Sequence, residues 1–339
     1  MGSAGGPGIL RHRSTREDDT MIGLILLLQA LTIAVSGPPT SAEYLPLRVA
    51  DAHGYFAREG LAVTLKTTRA EVGAAEALAQ GQVDLAATSL EAVLRFATRA
   101  ATQGPRLVFG LTAAPPVALL MAAPLEASVR SVDQLAGLRV GLAAPGDPAH
   151  TWLMALLARA RLSIAQVETV SLGERGLVTA IETGDVQAGI VAEPAASRLI
   201  ADGRAVVLAD LRTPAAVERA LDRSTLNAGL FMRADRRPAD RDLAALARAL
   251  VDAERLIATA DAEALASRLP RAVTGSAEEF PRRLETARAL YLADGAVTIS
   301  QLRDSIAIVR AHMPFSPGLR IPRPEELLYM ATITPRRAR

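Results

Sequence analysis

One segment pattern occurs twice along this chain, and it limits the possible folds more than any other sequence feature. Residues 74–87 and 177–190 each read as a short amphipathic helix that ends at a glycine, Gly81 in the first copy and Gly184 in the second. A polar turn and a buried apolar run follow each glycine, which is the pattern of a helix with a glycine C-cap and a strand behind it. The repetition predicts two similar α/β halves with a cleft between them. Chance similarity of two helix–strand units is the alternative.

Short apolar runs alternate with helical patterns from residue 31 onward, which favours βαβ units and a mainly parallel sheet. Strands are predicted at 31–35, 62–67, 85–88, 107–111, 117–122, 139–143, 168–170, 188–191 and 229–233. Helices are predicted at 42–57, 73–79, 90–102, 148–160, 175–183 and 194–202, and a mostly helical region follows residue 236. A chain of 339 residues that is 50% hydrophobic can bury a large core and form roughly two domains.

The composition excludes several classes of site. The chain has no cysteine, and its four histidines are far apart without metal-binding spacing. Disulfides, thiolate metal sites and cysteine nucleophiles are therefore excluded, and we expect neither a metal nor a cofactor. The net charge is only +2 and aromatic residues make up 3%, whereas nucleic-acid-binding proteins carry clustered basic residues with interleaved aromatics. We expect no nucleic-acid partner.

Residues 1–30 are assigned to a disordered N-terminus and a segment that resembles an export signal. A charged stretch precedes the apolar run 21–35, which is shorter than the approximately 20 residues of a membrane-spanning helix. The acidic residues 17–19 are atypical of such signals, and a misplaced start codon before a buried first strand is the alternative. Because 31–35 reads as a strand, we expect cleavage near Ala30, or an uncleaved segment that tethers an exported, periplasmic protein to the membrane.

Several short motifs follow one another in a specific order between residues 31 and 329. They are YLPLRVA at 44–50, GYFAREGLAV at 54–63, GQVD at 81–84, DQLAGLRVG at 133–141, PGDP at 145–148, GDVQA at 184–188 and EP at 193–194. Each motif is weak alone, but the ordered series is specific. The series resembles the nitrate/sulfonate/taurine group of periplasmic solute-binding proteins of ABC transporters, which also includes binders of thiamine precursors.

This resemblance implies an α/β, type II periplasmic-binding-protein fold: two α/β lobes, a central cleft and two crossovers. Carried over to this chain, the first lobe would comprise 31–122 plus 226–339, and the second lobe 123–225. The crossovers would lie near 122–125 and 226–231, and the lobes would close on a small-molecule ligand. The implied partners are the permease and ATPase subunits of an ABC importer, and we expect the protein itself to be monomeric.

In open α/β sheets the ligand crevice lies at the carboxyl ends of the strands, and five predicted loops meet that condition. Helix N-termini there would offer unpaired N–H groups to an anion or a carbonyl. The predicted loops carry no Arg or Lys, which disfavours a strongly anionic ligand. The predicted ligand-binding residues are Ser36, Gly37, Tyr44, Ser89, Gly146, Asp147, His150, Thr151 and Glu193.

Several of these residues have structural interpretations that the sequence leaves open. Ser89 reads equally well as an ordinary N-cap, and that role is compatible with ligand binding. His150 stands beside a helix start, and Glu193 is either an acceptor in the cleft or a structural cap. Tyr44, His150 and Trp152 could stack on a ring, although a tryptophan within a helix is more often a core residue.

Two other classes of function are weighed against solute binding. An enzyme on the same fold, such as a menaquinone-pathway or thiamine-pathway enzyme, is the first alternative. The thiamine-pyrimidine synthase of this group relies on a cysteine-rich motif that is missing here, and no Ser–His–acid order stands out, so we expect no enzyme. A sensory domain would need a helix-turn-helix module, for which neither end has space. The ligand stays open between a sulfonate, nitrate or taurine and an aromatic heterocycle.

Overall fold

The computed structural model describes residues 30–69, 71–97, 100–145 and 147–329. The described strands are β1 (Leu31–Val35), β2 (Val63–Thr67), β3 (Leu85–Ser89), β4 (Pro105–Thr112), β5 (Val117–Ala122), β6 (Arg139–Leu142), β7 (Glu168–Ser171), β8 (Ala188–Ala192), β9 (Ala205–Asp210) and β10 (Ala228–Arg233).

The described α-helices alternate with the strands at first and then form a helical C-terminal region. They are α1 (Leu45–Ala52), α2 (Tyr55–Arg58), α3 (Glu71–Ala79), α4 (Leu90–Arg95), α5 (Pro148–Arg159), α6 (Gly173–Thr183), α7 (Ala195–Ala201), α8 (Pro214–Leu221), α9 (Asp240–Thr259), α10 (Ala262–Ala266), α11 (Arg271–Thr274), α12 (Glu279–Arg288), α13 (Ile299–His312) and α14 (Pro324–Leu327). The helix predicted over 42–57 is broken at Gly54, whose φ of 67° is left-handed.

The strands form two five-stranded sheets with equivalent orders, β2-β1-β3-β10-β4 and β7-β6-β8-β5-β9. In the first sheet β1 pairs in parallel with β2 and β3, and β10 runs antiparallel between β3 and β4. In the second sheet β6 pairs in parallel with β7 and β8, and β5 runs antiparallel between β8 and β9. The repeated sequence pattern corresponds to α3–β3 and α6–β8, and both strands occupy the third position of their sheets.

The chain passes between the sheets twice, and the first passage differs from the expected one. Strand β5 pairs with β8 and β9 of the second sheet, so residues 117–122 belong with the second lobe. The first crossover is therefore 113–116, between β4 and β5, and its expected position at 122–125 is wrong. The alternation of apolar runs with helical patterns shows where a strand lies in the chain, but it does not show which sheet that strand joins. The second crossover, 222–227, lies between α8 and β10.

All nine predicted strands are present, whereas the tenth strand, β9, was missed. Helices cover both faces of each sheet, and the apolar cluster of the second lobe extends to Ala287, Leu290 and Ile308, which belong to the C-terminal helical region. Among the described residues, no helix is both long and apolar enough to span a membrane. The predicted export segment before Ala30 lies outside the described residues.

Candidate functional site

The two sheets present their strand ends to each other. In the first sheet β1, β3 and β4 end at the same edge, and in the second sheet β6 and β8 do so. Because the crossover 113–116 leads directly from the end of β4 to the start of β5, it connects these two edges. This arrangement places the loops that follow the strands at the boundary between the lobes, where α/β proteins bind ligands.

The two crossovers are hydrogen-bonded side by side. The backbone N–H of Asn227 donates to the carbonyl of Thr112 at 2.8 Å, and its side-chain amide donates to the Thr112 hydroxyl at 3.2 Å. The hydroxyl of Thr225 donates to the carbonyl of Ala113 at 2.7 Å. These groups are buried, so the two connecting segments form a single hydrogen-bonded unit between the lobes.

Ser89 and the first turn of α5 line one crevice between the lobes. Ser89 caps α4 by accepting a hydrogen bond from the N–H of Ala92 at 3.2 Å, and its side chain lies at the crevice together with Glu91. Thr151 and Trp152 form the opposite wall. The crevice has room for about one water molecule, ≈ 10 Å³, so the lobes are in close contact here. The sequence prediction that Ser89 faces the start of α5 is confirmed.

Asp147 is the N-cap of α5. Its carboxylate accepts a hydrogen bond from the N–H of Ala149 at 2.8 Å. Burial raises the pKa of Asp147, although this hydrogen bond and the nearby His150 and Arg95 oppose that shift. Burial lowers the pKa of His150, against the effect of Asp147. Gly146, the other predicted ligand contact in this loop, lies outside the described residues.

Glu193 is engaged within the second lobe. Its side chain is 2% exposed and forms an ion pair with Arg212 at 2.8 Å. It also accepts hydrogen bonds from the Ser197 hydroxyl at 2.8 Å and from the Ser197 backbone N–H at 3.2 Å. The sequence left two roles open for Glu193, an acceptor in the cleft or a structural cap. These contacts correspond to a structural cap at the start of α7.

Arg212 is a charged residue that the sequence analysis overlooked. It follows β9 at the same sheet edge as Glu193, so the expectation that the cleft loops carry no arginine is wrong. Its guanidinium also forms a bidentate pair with Asp210 at 2.9 and 3.0 Å. Burial alone would raise the pKa of Asp210, but the hydrogen bonds from Arg212 outweigh it and lower the pKa. Recognising β9 in the apolar run 205–209 would have revealed Arg212.

The loop after β1 is fixed against the loop after β2. Ser36 is buried, and its N–H donates to the carbonyl of Ala87 at 3.0 Å. A Cβ atom at Gly37 would lie 2.1 Å from the carbonyl oxygen of Thr68, so only glycine fits there. Ser36 and Gly37 therefore stand where the sequence predicted, at the edge of the first sheet.

Tyr44 does not line the cleft. Its side chain is 2% exposed and belongs to the apolar core of the first lobe, so the prediction that its ring closes one side of the site is wrong. The residue directly precedes α1, and this helix packs the ring inward. Tyr291 stands nearer the crossovers instead. It forms a β-bridge with Thr112, and its hydroxyl donates to the carbonyl of Ala42 at 2.6 Å.

Metal binding finds no support in the described part of the chain. Within those residues no group of three or more His, Cys, Asp or Glu side chains is arranged to hold a metal ion.

Comparison with solved structures defines the class of fold. A protein of Bordetella bronchiseptica RB50 superposes with a TM-score of 0.70 at 23% identity, covering 89% of this chain and 94% of the other. The alkanesulfonate-binding protein SsuA of Xanthomonas axonopodis pv. citri, bound to MOPS, gives 0.60 at 19% identity, covering 89% and 98%. The periplasmic nitrate-binding protein NrtA of Synechocystis PCC 6803 gives 0.54 at 14% identity, covering 80% and 73%. The fold is the two-lobed α/β fold of periplasmic binding proteins.

The family follows from the sequence. Residues 41–220 match the family model described as NMT1/THI5 like. This match spans more than half of the chain, so the chain belongs to the NMT1/THI5-like family. No curated protein sequence matches the chain at a significant level. The predicted resemblance to the sulfonate-binding and nitrate-binding proteins is confirmed.

Proposed function

We propose that this protein is the solute-binding component of an ABC importer, which captures a small molecule between its two lobes and delivers it to permease and ATPase subunits. The observation that carries the proposal is the pair of sheet edges joined by two hydrogen-bonded crossovers. A ligand held between such edges would contact both lobes at once. Its binding energy could then favour one relative position of the lobes.

The proposed ligand-binding residues come from both lobes. Ser36 and Ser89 end or follow strands of the first sheet, and Asp147, His150 and Thr151 belong to the start of α5 in the second lobe. The N-terminus of the 12-residue helix α5, which carries a partial positive charge, lies in this region and suits a sulfonate, nitrate or taurine. A heterocycle that resembles a thiamine precursor is the other ligand class, because His150 and Trp152 offer ring surfaces.

Location is part of this proposal. A solute-binding component of an importer acts outside the cytoplasmic membrane, so we expect the protein in the periplasm. Fractionation of cells that express the full chain tests this expectation, and recovery of the protein in the cytosolic fraction alone would contradict it.

Replacement of Ser89 tests the proposed site. Taurine, nitrate, an alkanesulfonate and an aminopyrimidine would first be screened against the parent protein by calorimetry. For the compound that binds, Ser89→Ala should weaken binding by about 1–3 kcal/mol if the hydroxyl contacts the ligand. The lost cap should cost folding only about 1 kcal/mol.

The matched control is Thr298→Ala. Thr298 caps α13 in the same manner, by accepting a hydrogen bond from the N–H of Gln301 at 3.1 Å, and it does not line the crevice. This variant should lose similar stability and keep its affinity. Equal affinities of the Ser89 and Thr298 variants would contradict a ligand contact at Ser89.

A further inference from the structure

An arginine is held at the edge of the first sheet that faces the cleft. Arg48 lies in the first turn of α1, and its Nη2 donates a hydrogen bond to the hydroxyl of Thr67, the last residue of β2. Thr67 pairs in the parallel ladder with Val35, the last residue of β1. Since neighbouring strands lie about 4.8 Å apart, the residue that anchors the guanidinium is one strand spacing from the end of β1.

The loop that follows β1 is in contact with the same anchor. A Cβ atom at Gly37 would lie 3.4 Å from the methyl carbon of Thr67, so nothing separates this glycine from the Thr67 side chain. Ser36, one of the proposed ligand-binding residues, directly precedes Gly37. Arg48 therefore brings a cationic side chain to the part of the sheet edge where the first lobe is proposed to bind the solute.

The guanidinium of Arg48 has few partners for a half-buried charge. Within the part of the chain that the structure describes, the bond to Thr67 is its only side-chain hydrogen bond, and it forms no ion pair there. Its Nε is buried, and no hydrogen-bond partner for it exists among the same residues. A guanidinium carries several N–H donors in a planar fork, and a buried charge without acceptors is costly. A ligand that supplied acceptors would remove this cost.

Arg212, at the edge of the second sheet, provides the contrast. Its guanidinium donates to Asp210 at 2.9 Å, to Glu193 at 2.8 Å and to the Ser197 hydroxyl at 3.1 Å. Two carboxylates therefore neutralise Arg212, whereas the protein offers Arg48 only a neutral hydroxyl. Of these two arginines, Arg48 is the one whose charge is available to an anion.

We infer that Arg48 binds an oxyanion group of the solute at the end of β1 and thereby selects anionic solutes over neutral ones. This inference rests on the proposed solute-binding function and narrows its ligand to one class. The planar fork of an arginine can donate two parallel hydrogen bonds to one oxyanion. The start of α5 contributes a partial positive charge from the second lobe, so such a group would meet positive charge on both sides of the cleft.

Removal of the guanidinium tests this assignment. Methanesulfonate, taurine, nitrate and a neutral aminopyrimidine would be titrated into the full chain by calorimetry. Arg48→Met keeps an apolar stem and removes the charge, so it should weaken binding of the oxyanion compound about ten-fold or more, as expected for the loss of a hydrogen bond to a charged group. Arg48→Lys keeps the charge without the planar fork and should fall between the parent and the Met variant.

Arg106→Met is the matched control. Arg106 is also half-buried, and its Nη1 donates to a neutral acceptor, the carbonyl of Pro105, at 2.9 Å. It lies at the start of β4, at the opposite edge of the same sheet. This variant removes the same charge from the same lobe and should keep the affinity of the parent protein.

The outcomes separate this inference from the proposed function. Equal oxyanion affinities of the parent and Arg48→Met would overturn the role of Arg48 and leave solute binding intact, as would binding of the aminopyrimidine alone. A parent protein that binds none of these compounds would contradict the proposed function, and this inference with it. If Arg48→Met does not fold, Thr67→Val at the exposed anchor decides: it should weaken oxyanion binding about five-fold, and unchanged affinity would overturn the inference.

Discussion

Glu254 is a buried acid. It lies in α9 with 4% of its surface exposed, and neither carboxylate oxygen has a hydrogen-bond partner within the part of the chain that the structure describes. Burial raises the pKa of Glu254 to about 9, and Asp294 adds to the shift. At neutral pH this side chain is therefore protonated in the folded protein, whereas in the unfolded chain it is ionised.

The stability of the fold should consequently fall as the pH rises. The pKa of Glu254 is higher in the folded state than its ordinary value of 4.5, so the favourable contribution is complete below 4.5 and is lost as the pH rises through about 9. Between these values the free energy of unfolding should decrease by about 1.4 kcal/mol per pH unit from this group alone. The loss should be about 3 kcal/mol at pH 7, relative to acid conditions.

Glu254→Gln removes the titration and keeps the size of the side chain. Urea unfolding of parent and variant at about pH 5 and about pH 8 should show the variant gaining about 4 kcal/mol relative to the parent, since all other titrating groups are common to both. Glu218→Gln, at an exposed site of α8, controls for the change in net charge. A difference between Glu254→Gln and parent that stays constant with pH would refute the reasoning.

Two further substitutions probe the edges of the cleft. Arg212→Met should destabilise the fold by about 3–5 kcal/mol, because it leaves the buried Glu193 carboxylate without its counter-ion. Arg223→Met, at an ion pair whose arginine is 51% exposed, should cost less than about 1 kcal/mol, and equal losses in urea unfolding would contradict the argument. Gly37→Ala should cost about 1–3 kcal/mol, because its Cβ would lie 2.1 Å from the Thr68 carbonyl oxygen. An unchanged unfolding midpoint would contradict it.

Most of the fold could be predicted from local patterns of apolar and polar residues in the sequence. The strands β1 and β5 have the predicted bounds, and the repeated helix–glycine–strand units take equivalent positions in the two sheets. Strands that helices cover on both faces consist of short, continuous apolar runs. Such runs can be recognised in a single sequence. The partners of β5 were not predictable in this way, because strand pairing depends on residues far apart in the chain, and β9 was overlooked despite its apolar run.

The site was predictable where it depends on strand ends. Ser89 and the start of α5 meet because both follow strands at facing sheet edges. The inward packing of Tyr44 and the pairing of Glu193 with Arg212 depend on tertiary contacts that no local pattern encodes. Tyr291 was missed for the same reason, since it reaches Ala42 from the distant C-terminal region.

Ligand-induced stabilisation tests the central claim most directly. Thermal unfolding of the full chain would be followed with taurine, nitrate, an alkanesulfonate or an aminopyrimidine, each present in large excess. A solute-binding protein should be stabilised by its ligand by about 2.7 kcal/mol at a concentration of 100 times Kd, which amounts to several degrees in Tm. We expect at least one compound of these two ligand classes to produce that shift in a concentration-dependent manner. A folded protein whose Tm responds to none of them would contradict the proposed solute-binding function.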